Sequence, residues 1–427
     1  MKIIAAGGYS AVGRNMTGVS VRNETVAIDN GIRLDALQIY EDDETDILRE
    51  KSLEELIAME IIPDQRLLRH ISAQVISHAH LDHIGALPIN RPKAPIIANH
   101  YTTEICRKEY PAGNYYSVGY NERFDISKKL SVEFVEVSHS IPNSSVIVLH
   151  TPEGDVVYAS DFKFDDSSKL GRNDYRKLKE IGDRHPKALI VESTRVAEPG
   201  KTPSESVAAS KLADVMKFID SGLIIATTFS THIERIQSLV DEAVKYDRTP
   251  IILGRSFSKQ VEVSERFGLL NLPPNARVCS NPKAIKQGLK EIGRKEDFML
   301  IVTGHQGESG SVISRIADGR LPSRLGKGDS ALLCANIIPS PLNYASRHTL
   351  ETRLKQKGVR IYDGIHVSGH ASREEHRKML RLIRPEHIVP CHGSMEMRSA
   401  YASFVAEEGY DINRRVHIIV NGASIDI

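Results

Sequence analysis

The sequence predicts an α/β protein of two domains, one inserted into the other, and three observations predict it. Short β-branched or apolar runs end repeatedly in a polar, metal-capable residue: "TVAIDNG", "AQVISHAH", "VEFVEVSHS", "DVVYASDF", "ALIVEST", "GIHVSGHAS" and "HIVPCHGS". Residues from about 203 to 345 instead alternate helical patterns with short apolar strands, as a doubly wound parallel sheet does. Metal-capable strand ends then resume at His366, His370 and His392, so the chain leaves one sheet, builds another and returns to finish the first. The expected divisions are 1–200 for the first part of the outer domain, 201–350 for the insert and 351–427 for the closing segment.

The elements follow in order. The first half reads mostly as consecutive strands with hairpin turns such as "PEGD", interrupted by a helix in "SLEELIAMEII", whose apolar residues recur at helical spacing. In the middle, "SESVAASKLADVMKFI" and "HIERIQSLVDEAVKY" are helices, and "LIIATTFS", "TPIILG" and "FMLIVTG" are strands. After the insert, Ser372 is an N-cap for a helix in "REEHRKMLRLI".

Bulk properties narrow the class. A chain of 427 residues with 41% hydrophobic and 26% charged residues folds as an ordinary globular protein, which excludes disorder and fibres. Its 56 Lys and Arg nearly cancel 55 Asp and Glu, so any nucleic-acid surface must be a local patch. Cys106, Cys279, Cys334 and Cys391 are scattered, which fits reduced thiols; Cys391, beside His392, could ligate or simply be buried, and burial is the expectation. The opening "MKIIAAGGYS" has too short an apolar run for a secretion signal, and no stretch approaches the roughly 18 apolar residues of a membrane span. A cytoplasmic protein without membrane contact is expected.

The segment "SHAHLDHIGALP" sets three histidines and an aspartate within six positions. In extended chain, residues two apart share a face, so His78 and His80 can grip one cation. Asp82 and His83 fall where "DHIGAL" begins a helix and face elsewhere, so two neighbouring ions use all four donors better than one. Other strand ends complete the spheres with His139, Asp161 and His392, and Asp161, having two oxygens, is the natural bridge. Imidazoles packed this tightly repel if protonated, and waste their burial if neutral, unless a cation draws their lone pairs together. Two divalent ions about 3.5–4 Å apart acidify a water and neutralise charge on a phosphoryl or carbonyl oxygen. That chemistry is hydrolysis.

With these residues in view, "AIDNG", "HAHLDH", His139, "SDF" and His392 stand in the order of the metallo-β-lactamase fold hydrolases, which the chain resembles. "ALIVESTR" with Glu192, "HVSGHAS" with His370 and "VPCHGS" with His392 resemble the signature motifs of the β-CASP nucleases. "TGHQGESGSVISRIADG", "GDSALLCANIIPSPLN" and "GGYSAVGRNM" resemble the ribonuclease J family, in its short archaeal type without a further C-terminal domain. The resemblance implies an αββα sandwich with an inserted β-CASP domain. It also implies two Zn2+ per chain, with Mn2+ or Mg2+ as possible activating metals.

By that resemblance, His78, His80 and His139 hold one zinc, Asp82, His83 and His392 the other, and Asp161 bridges. Asp29 orients the cluster from behind, and His366 either supports it or packs. His370, poised by Glu192, donates a proton to the leaving 3′ oxygen or holds the scissile phosphate, with Asp82 in the catalytic set. Ser230, His232, Gly304, His305, Ser309 and Ser368 form loops that cradle phosphate oxygens, in the family a pocket for a 5′-monophosphate. Arg195, Arg255, Lys259, Arg315, Arg324 and Lys327 are candidates for the walls of a single-stranded RNA channel. The implied activity is 5′→3′ exonucleolytic hydrolysis of single-stranded RNA in RNA decay and maturation, by a homodimer. The rivals are an endonuclease of the pre-mRNA 3′-end processing type, a non-catalytic RNA-binding paralogue, and a small-molecule thioester or lactam hydrolase.

Overall fold

The computed structural model describes residues 1–40, 46–338 and 340–427. Two sheets lie face to face. The first runs Ser424–Asp426, Lys2–Gly7, Met16–Val21, Glu24–Ile28, Ile71–Ile76, Ile96–Ala98 and Tyr115–Ser117. The second runs His387–Cys391, Ala188–Glu192, Val156–Ala159, Ser145–His150, Ser131–Glu136 and Arg123–Asp125. Period-two alternation explains their packing: Val156, Tyr158 and Ile190 point to the core between the sheets, with Val26 and Val75 opposite. Val157, Ala159 and Leu189 point outward to Leu178, Met379 and Phe404 on helices Tyr175–Asp183, Arg373–Ile383 and Met395–Glu407. Both faces are therefore covered, which is why these strands read as unbroken apolar runs. The first sheet is covered in turn by Tyr101 and Ile105 of helix His100–Glu109. These layers make the expected αββα sandwich.

The third sheet is parallel throughout, in the order Arg277–Cys279, Thr249–Leu253, Phe298–Val302, Ile224–Thr227, Ser330–Leu333 and Arg360–Tyr362. Helices cover both faces: Leu212, Ile236 and Phe257 on one side, Ile285, Ile313 and Leu350 on the other. The unit is inserted between Ala188–Glu192 and His387–Cys391, which pair in parallel with Glu192 opposite Cys391. The chain thus returns beside the point where it left.

Three expectations are corrected. The inserted sheet runs past residue 350, because Arg360 pairs with Ser330 in its last ladder. "GIHVSGHAS" is no strand: 363–370 follow Arg360–Tyr362 outside any ladder, with Gly364 at φ 76° and bends at Gly369 and His370. The helix in "SLEELIAMEII" ends at Ala58, just before Glu60 turns left-handed at φ 58°. Among the described residues, no helix is long and apolar enough to cross a membrane.

Candidate metal centre

The C-terminal ends of five strands deliver the cluster: Asp29 follows Glu24–Ile28, His78 follows Ile71–Ile76, His139 follows Ser131–Glu136, Asp161 follows Val156–Ala159 and His392 follows His387–Cys391. His80 stands at the N-cap of the short helix Leu81–Ile84, which carries Asp82 and His83. Two donor groups result, sharing one carboxylate: His78, His80, His139 and Asp161, and Asp82, His83, Asp161 and His392.

Asp161 Oδ2 lies 3.5 Å from His78 Nε2, 3.6 Å from His139 Nε2 and 3.4 Å from His83 Nε2, and Asp161 Oδ1 lies 3.6 Å from His392 Nε2. Asp82 Oδ2 is 3.5 Å from His83 Nε2 and 3.7 Å from His392 Nε2. These separations exceed the roughly 2.7–3.2 Å of a good hydrogen bond. They do match the edge of a tetrahedron of donors about 2.0–2.1 Å from a metal, which is about 3.3 Å.

The far sides of the rings explain their orientation. Nδ1 of His83 is 2.7 Å from Asp29 Oδ2, Nδ1 of His139 donates to the Gly369 carbonyl at 2.6 Å, and Nδ1 of His392 donates to Asn15 Oδ1 at 2.9 Å. His78 Nδ1 lies 3.0 Å from Ser77 Oγ, which itself donates to Asp29. Each contact turns an Nε2 lone pair inward. His392 Nε2 is buried without any hydrogen-bond partner, as an atom awaiting a cation is. His80 presents Nδ1 instead, 3.1 Å from both His78 Nε2 and His139 Nε2.

Charge agrees with geometry. Burial and the neighbouring rings push His80 and His139 well below the usual imidazole range, leaving them neutral. Asp161 is buried, which opposes ionisation, yet His392, His83 and His370 hold it well below the usual carboxylate range. Burial also opposes a proton on His83, but Asp161, Asp82 and Asp29 overcome it and raise that ring well above normal. Three carboxylates around one imidazole leave a site whose charge fits a metal cation.

A third group stands beside the second: His370 Nδ1 is 2.9 Å from Glu192 Oε2 and 3.9 Å from Asp161 Oδ2, and its ring stacks on His392 at 5.7 Å. Burial lowers this ring, but the charges of Glu192 and Asp161 raise it to about 9. His370 keeps 26% side-chain exposure while Glu192 keeps none, so an acid faces the opening with its counter-charge sealed behind it. Glu192 Oε1 also accepts the Phe162 N–H at 3.2 Å.

The other predicted residues lie mostly at the C-terminal ends of the inserted strands. Ser368 Oγ accepts the His370 N–H at 3.1 Å. Gly304 takes φ 106°, and His305 is buried against Phe229 with ring centroids 3.9 Å apart. Both His305 nitrogens lack partners, and burial with nearby Arg347 pushes the ring down to about 3. Ser230 is half-buried and Ser309 exposed. His232 Nε2 is 3.3 Å from Glu205 Oε2, and His366 packs on His232 at 6.3 Å. His366 thus packs with the inserted domain's polar residues, four positions before His370 along chain that lies outside any strand.

The basic candidates divide. Arg195 bridges Ser372 close to His370, and Arg255 and Arg315 lie on helices that follow strands Thr249–Leu253 and Phe298–Val302. Lys259 is engaged with Glu109 at 2.8 Å. Arg324 and Lys327 precede Ser330–Leu333, at the opposite end of the parallel sheet from Gly304 and the other phosphate-loop candidates. Sequence reasoning does not single out Asn15, Ser77 or the Gly369 carbonyl, although each lies in a quoted motif: "GGYSAVGRNM", "SHAHLDHIGALP" and "GIHVSGHAS".

Comparison with known proteins adds three family matches: "Ribonuclease J, beta-CASP domain" over residues 221–348, "Zn-dependent metallo-hydrolase RNA specificity domain" over 358–416, and "Beta-lactamase superfamily domain" over 53–179. The chain is 44% identical to a ribonuclease J of Pyrococcus abyssi, covering 100% of this chain and 97% of that protein. It is 43% identical to one of Methanocaldococcus jannaschii, covering 99% and 98%. A crystal structure of a protein of unknown function from Enterococcus faecalis covers 99% of both chains with TM-score 0.66 at 18% identity, a likeness of fold alone.

Proposed function

The chain belongs to the ribonuclease J family and is a metal-dependent ribonuclease, and from that premise we propose that it is a zinc-dependent 5′→3′ exoribonuclease that prefers 5′-monophosphorylated single strands. In this reading His78, His80, His139 and Asp161 hold one ion, and Asp82, His83, His392 and the shared Asp161 hold the second. Bound there, a pair of divalent ions supplies an acidified water and neutralises charge at the phosphoryl oxygens.

The chain's own residues do the rest. Asp29, Ser77, Asn15 and the Gly369 carbonyl fix the tautomers, so no ring has to reorient when RNA arrives. Glu192 takes the His370 Nδ1–H, so the protonated ring offers its Nε2–H to the leaving 3′ oxygen. One observation carries the preference for a 5′ end: Thr228 Oγ1, His232 Nδ1 and both His305 nitrogens are buried without partners where the inserted strands end. Buried polar atoms cost about 1–3 kcal/mol each when unpaired, and a terminal phosphate satisfies several at once.

Digestion of one RNA bearing a 5′ hydroxyl, monophosphate or triphosphate, with products followed from both ends, tests the reading. Release of single nucleotides fastest from the monophosphate is expected. Equal internal cutting of all three would replace it with an endonuclease.

A further inference from the structure

Glu375 is 2% exposed, and its carboxylate contacts three backbone segments. As the third residue of helix Arg373–Ile383 it completes a capping box, accepting the Ser372 N–H at 2.8 Å. A capping box needs no more, yet Glu375 Oε2 also accepts the Thr202 N–H at 2.9 Å, and Oε1 accepts the Phe164 N–H at 3.0 Å. Phe164 ends the turn begun by Asp161, Thr202 lies on the segment entering the inserted domain, and Ser372 lies two residues after His370 on the segment leaving it.

Further bonds lace the same junction. Thr202 Oγ1 donates to the His370 carbonyl at 2.7 Å and lies 2.8 Å from Ser372 Oγ. The Arg373 and Glu374 amides donate to the Glu198 and Gly200 carbonyls, each at 3.0 Å. His370 itself sits in a bend outside any strand, so no ladder fixes its place. Its position against the Asp161 turn depends on these contacts, and among the described residues Glu375 is the one side chain that accepts hydrogen bonds from all three segments.

We infer that Glu375 is a positioning residue: its carboxylate sets the spacing between His370 and the Asp161 turn by holding the Phe164, Thr202 and Ser372 amides together. The inference rests on the role proposed above for His370. Three N–H groups need acceptor oxygens, and glutamine supplies one oxygen and an NH2 that faces donors, so Glu375→Gln preserves volume and spoils the clamp.

A double-mutant cycle on the full chain loaded with zinc tests it, reading kcat, KM for a 5′-monophosphorylated RNA, and metal per chain. Glu375→Gln is expected to lower kcat by about 10–100-fold, the range for residues that orient reacting groups, with KM and metal content unchanged. In a His370→Ala background the same substitution should add less than about threefold, because what it positions is gone. A full multiplicative loss in that background, or loss of metal together with activity, overturns the inference. If His370→Ala alone leaves kcat intact, the reading of His370 itself fails, and that outcome differs from failure of the clamp alone. Should Glu375→Gln not fold, Thr202→Val removes the hydroxyl between His370 and Ser372 and runs the same cycle, with about 3–10-fold expected.

Discussion

The two histidine-rich regions of this molecule differ in what completes them. In the cluster around Asp161, the outer ring nitrogens of His83, His139 and His392 are satisfied by Asp29, the Gly369 carbonyl and Asn15, and only inward atoms are left over. In the inserted domain, His305 is buried with both nitrogens unpartnered, and His232 and His366 each keep a bare Nδ1. The first region is oriented by protein before anything binds. The second is held in part, His232 by Glu205, and keeps unpartnered buried nitrogens.

Variants should therefore separate along that line, and the largest effect belongs to the cluster. Asp161→Ala removes the one carboxylate within reach of both donor groups. It is expected to cut turnover on the order of 10^3-fold or more and to lower metal content, while circular dichroism stays native; wild-type activity after complete chelation would break the comparison from the same side. Next comes Asn15→Ala, which frees the His392 ring and removes the amide nitrogen that lies 3.1 Å from His83 Nε2: about 10–100-fold weaker metal retention is expected, measured by competition with a chelator. His305→Ala should leave metal content and cleavage of 5′-hydroxyl RNA alone. It should erode the preference for a 5′ monophosphate by about tenfold, the value of one hydrogen bond to a charged group; an equal loss on both RNAs would dissolve the distinction between the regions.

A separate effect is on acid stability. His305 titrates near 3 when folded and in the ordinary imidazole range when unfolded. Its contribution to stability is complete above about pH 6.5 and is lost as pH falls toward 3, because only the unfolded chain gains the proton. His305→Gln should flatten the fall of unfolding free energy between pH 6 and pH 4, by at most about 1.4 kcal/mol per pH unit, read from denaturant melts at each pH.

How legible each region was follows from distance along the chain. The His-x-His-x-Asp-His run announces itself because local geometry alone forces a choice between repulsion and a cation. The strands were readable because buried strands show as apolar runs ending in polar residues, whereas the sandwich they build followed from the family resemblance. Asn15 was not, since it meets His392 across 377 positions and neither residue marks the other. Gly369 acts through a carbonyl, which no residue type advertises. Arg324 and Lys327 misled because proximity in sequence to Gly304 says nothing about which end of a parallel sheet a loop occupies. The "RIY" of Arg360–Tyr362 is too short for period-two alternation to speak, so the inserted sheet outran its expected limit.

The late return to the second sheet also matters while the protein is being made. Six of the seven donors around Asp161 have been synthesised by residue 161, but the last, His392, follows the whole inserted unit. A ribosome translating this chain carries an incomplete ligand set for most of elongation, so the nascent nuclease stays unarmed beside its own message until the strand before His392 is complete.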